Sequence, residues 1–79
     1  MKVNALYFGM IAEKRGLTKE VLEFSDSVTL ATLKEKALEL IPNLNDINYG
    51  IAVNQVMTTD DMDLKDGDEI SFFPPFAGG

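Results

Sequence analysis

A chain of 79 residues makes one small domain, too thin in its core to enclose a substrate pocket of at least about 300 Å³. It has no Cys and no His, which removes disulfides, thiolate nucleophiles, zinc–thiolate sites and the usual neutral-pH proton shuttle. Seven Lys and Arg against thirteen Asp and Glu leave a net charge of −6, a surface that repels nucleic-acid phosphates and anionic membranes.

No apolar run approaches the length of a membrane span, and Met1 to Phe8 is too short and too interrupted for a signal peptide. A cytoplasmic location is the expectation, with part of the stability supplied by a partner.

In chain order, residues 2–8 are rich in β-formers and end at Gly9, which predicts a strand. Val3, Ala5 and Tyr7 share one face, and Leu6 and Phe8 the other. Apolar residues on both faces place this strand inside a sheet. The segment from Gly9 to Thr18, with two Gly and the charged Glu13, Lys14 and Arg15, predicts a loop holding one helical turn at most. Glu13 there is expected to face solvent.

Residues 19–24 predict a second strand. Thr29 then precedes Leu30, Leu33, Ala37, Leu40 and Ile41 at steps of three and four, the pattern of a capped amphipathic helix that Pro42 ends. After a polar connection, Tyr49 to Val53 is strand-like, Asn54-Gln55 a turn, and Val56-Met57 a short return. Lys65 to Asp68 signals a turn before a last strand, Glu69 to Phe73, which Pro74-Pro75 closes. One helix on one face of such a sheet is an α+β two-layer domain. Met10, Met57 and Met62 are expected in the core or in loops.

The acidic run from Asp60 to Glu69 invites a calcium reading, which its spacing rejects. A loop starting at Asp61 would need a ligand at 65, Gly at 66 and Glu at 72, where Lys65, Asp66 and Phe72 stand. No metal site is expected, and the run is left to present negative charge to a basic partner.

The chain ends Phe72-Phe73-Pro74-Pro75-Phe76-Ala77-Gly78-Gly79. Pro-Pro stiffens the base of this tail, and Ala-Gly-Gly is slender enough for a narrow channel. The Gly79 carboxylate is ionised at neutral pH and becomes an electrophile only when activated, for instance as an acyl-adenylate. Such chemistry needs no catalytic group in this chain. The alternative is a frayed end with no role.

The tail closely resembles the C-terminal signature of the molybdopterin synthase small-subunit family. Phe8-Gly9-x-x-Ala12-Glu13, Ala52-Val53-Asn54-Gln55 and Leu64 to Glu69 match it in order. The resemblance implies a ubiquitin-like β-grasp fold over 1–73, with a mixed sheet of four to five strands and one main helix, and a tail over 74–79. It implies a sulfur carrier of molybdenum cofactor biosynthesis, non-catalytic alone. In that family an activating enzyme uses ATP and magnesium to adenylate the terminal glycine, here Gly79, and a sulfur donor then converts it to a thiocarboxylate. The tail, here Pro74, Pro75, Phe76, Ala77 and Gly78, threads the large subunit, where sulfur passes to cyclic pyranopterin monophosphate. A two-plus-two heterotetramer is implied as well.

If the first and last strands pair, Leu6, Phe8, Phe73 and Phe76 form an apolar patch on the sheet face away from the helix, expected to dock the large subunit and the activating enzyme. Three other readings stay open: a protein modifier joined through Gly79 to lysine amines, a sulfur carrier for another pathway such as thiamine synthesis, and a binding module with an inert tail.

Overall fold

The structure, a computed structural model, describes residues 1–74. Five strands form one mixed sheet: β1 (Lys2–Tyr7), β2 (Lys19–Glu23), β3 (Gly50–Val53), β4 (Val56–Met57) and β5 (Glu69–Phe73). Their order is β2-β1-β5-β3-β4. Only the β1–β5 pair is parallel, with Leu6 opposite Ser71 and Tyr7 opposite Phe72. The pairs β1–β2, β3–β4 and β3–β5 are antiparallel. Chain start and chain end thus meet in the middle of the sheet, the arrangement of a β-grasp domain. The last strand is flanked on both edges, so its backbone N–H and C=O groups are held by neighbours up to the point where proline takes over.

Alternation along the strands sorts the side chains as the sequence predicts. Val3, Ala5, Tyr7, Ile51, Val53, Ile70 and Phe72 enter the core. Helix α2 (Leu30–Leu40) covers that face with Leu30, Leu33 and Ala37. Thr29 caps it, its hydroxyl accepting from Thr32 N–H, and the predicted helix is present with both ends in place. Phe72 is fully buried and stands between Tyr7 and Tyr49, ring centroids 5.8 and 6.1 Å away.

Three expectations need correction. The segment after β1 is a seven-residue helix, α1 (Gly9–Arg15), rather than a loop with a single turn. Its two glycines punctuate a helix: Gly9 enters at φ +56°, and Gly16 caps the other end at φ +83° with its N–H on the Ala12 carbonyl. Ile11, fully buried, pins α1 to the core. The polar connection after α2 contains a 3₁₀ turn, Leu44–Asp46, because Leu44 is a core residue among asparagines. Met10 and Met57 are neither in the core nor in loops but exposed on α1 and β4, whereas Met62 lies in a loop as expected.

Candidate functional site

The strand–turn machinery ahead of β5 is built from the acidic run. Asp66 Oδ1 accepts from Lys2 N–H at 2.7 Å, tying the turn to the start of β1. Asp68 Oδ2 accepts from Lys65 N–H at 2.7 Å, and its Oδ1 from Asn54 Nδ2 at 3.0 Å. Asn54 in return accepts from Glu69 N–H at 2.9 Å. These bonds hold the Asp68 carboxyl below the usual carboxylate range, the Asn54 amide contributing most. Asp61 accepts from Ala31 and Met62 N–H at 2.8 and 3.0 Å. Three carboxylates of the run therefore satisfy backbone donors, two of them, on Lys2 and Ala31, distant in sequence, a structural task beside the partner-facing charge expected from sequence.

At the other end of β5 the chain leaves the sheet through Phe73 and Pro74. Phe8 N–H donates to the Phe72 carbonyl at 3.1 Å, and Phe8 is itself extended, so the parallel register carries it alongside Phe73. On the face turned from α2, Leu6 and Phe73 are half-buried and Phe8 is 49% exposed. The structure thus places Leu6, Phe8 and Phe73 together, beside the exit of the chain. Along the same face Ser71 and Ala52 follow Leu6 in register, ending at Met57, which is 65% exposed. Met57 is a member of this strip that periodicity over two residues did not reveal. Pro75, Phe76, Ala77, Gly78 and Gly79, the expected threading segment and reactive end, lie outside the described residues.

The helix-covered face closes at its rim with a polar triad. The Tyr7 hydroxyl donates to Glu20 Oε2 at 2.6 Å, and Arg15 grips the same carboxylate through Nε at 2.7 Å and Nη2 at 2.9 Å. The Arg15 fork, chiefly, lowers the Glu20 carboxyl from its ordinary value. Burial first, and then the Glu20 bond, push the Tyr7 hydroxyl well above a free tyrosine. The triad ties α1 to β1 and β2, and so fixes the turn carrying Phe8 and Gly9.

Among the described residues no group of three or more Asp or Glu is arranged to hold a metal ion, and no helix is long and apolar enough to cross a membrane. An open groove of about 670 Å³ lies between Leu30, Ala31 and Lys34 of α2 and the 57–61 segment. What the arrangement offers is an apolar face beside the point where β5 gives way to proline.

Known proteins share this arrangement. The ThiS family matches residues 5–79. The molybdopterin synthase sulfur carrier subunit of Escherichia coli is 57% identical over 81 residues, covering 98% of this chain and 99% of that protein. Among solved structures, a chain of the complex of subunits 1 and 2 of molybdopterin-converting factor from Helicobacter pylori superposes with a TM-score of 0.70 at 29% identity, covering all of both chains. SAMP1 from Haloferax volcanii has a TM-score of 0.82 at 17% identity, again over both chains in full, which shows a common fold. A mixed five-stranded sheet gripping one main helix, matched from end to end by such relatives, places this chain in the ThiS family of ubiquitin-like β-grasp proteins.

Proposed function

We propose that this protein is the sulfur-carrier small subunit of molybdopterin synthase. The observation that carries the reading is the 57% identity, over nearly the whole of both chains, to the Escherichia coli sulfur carrier subunit. The Helicobacter pylori complex of two converting-factor subunits supports a large subunit as the partner. The geometry agrees with both: β5 ends at Phe73, and Pro74 follows it beside the apolar face of Leu6, Phe8 and Phe73.

On this reading the Gly79 carboxylate attacks the α-phosphate of ATP on an activating enzyme, magnesium assisting, and pyrophosphate leaves. A sulfide-level sulfur then displaces AMP to give the thiocarboxylate. Pro74 to Gly78 thread the large subunit, where the thiocarboxylate sulfur bonds to cyclic pyranopterin monophosphate and water then cleaves the acyl C–S bond, leaving sulfur on the pterin and returning Gly79 as the carboxylate. This chain supplies the carried group and the docking face; the activating enzyme supplies the nucleotide site, and the large subunit the catalytic groups. Two carriers on two large subunits form the assembly, in the cytoplasm.

Intact mass spectrometry after incubation with an activating enzyme, ATP, magnesium and sulfide tests the reading. The chain should gain the mass difference between sulfur and oxygen, and a chain lacking Gly79 should not while remaining folded. Branched conjugates on lysines would establish a protein modifier instead, and an unchanged mass an inert tail. Sulfur gained but never passed on to the pterin would point to a carrier for another pathway.

A further inference from the structure

The glycines of the described chain fall into two kinds. Gly16 and Gly67 adopt φ +83° and +88°, and a Cβ on either would meet nothing within 4 Å. They serve the backbone alone. Gly50 is the opposite case: it has no left-handed φ, yet a Cβ there would overlap the edge of the Phe73 ring at Cε2 and lie 2.6 Å from Cζ. Glycine weakens a strand, so the conformation of β3 gives no reason for it. The reason is the ring. Phe73 faces Gly50 across the β3–β5 register, and its outer edge occupies the volume a side chain at 50 would fill. Gly9 repeats the device on the other flank of β5, where a Cβ would stand 2.9 Å from Pro74 Cγ.

We propose that Gly50, with Gly9, is a positioning residue: the bare backbone seats the Phe73 and Pro74 rings and thereby sets the direction in which the tail leaves the sheet. The proposal rests on the carrier reading and deepens it. Five residues separate Pro74 from the carboxyl end. A chain of five residues reaches at most about 17 Å, so a tilt of about 10° at its base moves its far end by up to about 3 Å. Displacements of that order at a reacting atom cost about 10²-fold in rate. The seat therefore acts on the reaction without touching the reacting atoms.

The test uses the full chain, thiocarboxylated at Gly79, in single turnovers with cyclic pyranopterin monophosphate and a saturating large subunit, with thermal melting of each variant alongside. Saturation removes docking affinity from the rate. Gly50→Ala should slow transfer at least about tenfold while the variant stays folded at the assay temperature. Phe73→Leu, which removes the seated ring edge, should slow it less, and adding Gly50→Ala to Phe73→Leu should cost much less than it does alone, because the conflict at Cε2 and Cζ is gone. An unchanged rate in Gly50→Ala, or slowing that simply multiplies in the double variant, overturns the proposal. If Gly50→Ala alone does not fold, Phe73→Leu decides: a rate equal to the unsubstituted chain's overturns the seat, and a slower one sustains it. Failure of the unsubstituted thiocarboxylated chain to transfer sulfur would sink the carrier reading instead, so the two failures are distinct.

Discussion

The two faces of the sheet are made by alternate residues of the same strands, yet they answer to different demands. Toward α2, Val3, Ala5, Tyr7, Ile70 and Phe72 are sealed away from water and hold the domain together. On the opposite face, one residue along in each strand, Leu6, Phe8 and Phe73 remain partly or largely wet. Neighbouring aromatics in sequence, Phe72 and Phe73, thus belong to opposite faces: one is core, the other half-buried on the face turned from α2. A period of two is what allows five residues of β5 to serve both at once.

The sharpest way to break this division is to exchange the faces' roles by mutation. Phe72→Ala empties the space between Tyr7 and Tyr49 and should lower unfolding free energy by about 3–5 kcal/mol, read by urea denaturation. For a domain this small that is a large share of its stability. Phe73→Asp should cost the fold much less, yet weaken binding to the large subunit by at least about tenfold in titration calorimetry, since it sets a charge in a desolvated apolar contact. If Phe73→Asp unfolded the chain while binding survived in Phe72→Ala, the assignment of faces would be reversed.

The smallest effect lies at the rim of the covered face and is a matter of pH. Glu20 and Asp68 both have carboxyls lowered by folding, through the Arg15 fork and the Asn54 amide respectively. Each stabilises the fold above its unfolded value of about 4, and that contribution is lost as pH falls through the lower folded value. Tyr7 is raised, so its contribution is complete below about pH 10 and is lost as pH rises toward its folded value. The urea midpoint should therefore stay level near neutrality and fall at both extremes. Glu20→Gln should blunt the acid limb, and an acid limb identical in that variant would remove the triad from the account.

Much of the fold was legible because its signals are local. Thr29 and Pro42 bracket α2, the Lys65 to Asp68 turn and Pro74 bracket β5, and both elements stand within a residue of where these signals put them. Helix α1 was not legible. Seven residues offer too few turns for periodicity, and the same two glycines that mark a loop in sequence also serve as the entry and cap of a short helix. Leu44 was lost for a similar reason: one apolar residue among polar ones has no period, and only packing makes it core.

The site divides in the same way. Leu6, Phe8 and Phe73 could be assigned to one face from alternation, on the condition that β1 and β5 pair, and the register meets that condition. Met57 and Gly50 could not, because each acquires its place only from a strand distant in sequence: Met57 from Ala52 and the strip beyond it, Gly50 from the ring of Phe73.

By itself, then, the sequence determined the five strands, helix α2 and the faces they present, since periodicity, capping and proline chemistry act over a few neighbouring residues. Tertiary structure alone decided that the first and last strands lie side by side, that Asp61 and Asp66 are spent on the backbone donors of Ala31 and Lys2, and that two glycines make room for the rings of Phe73 and Pro74. Those facts depend on which distant backbones come together, and no local pattern encodes a distance between residues that meet only once the chain is folded.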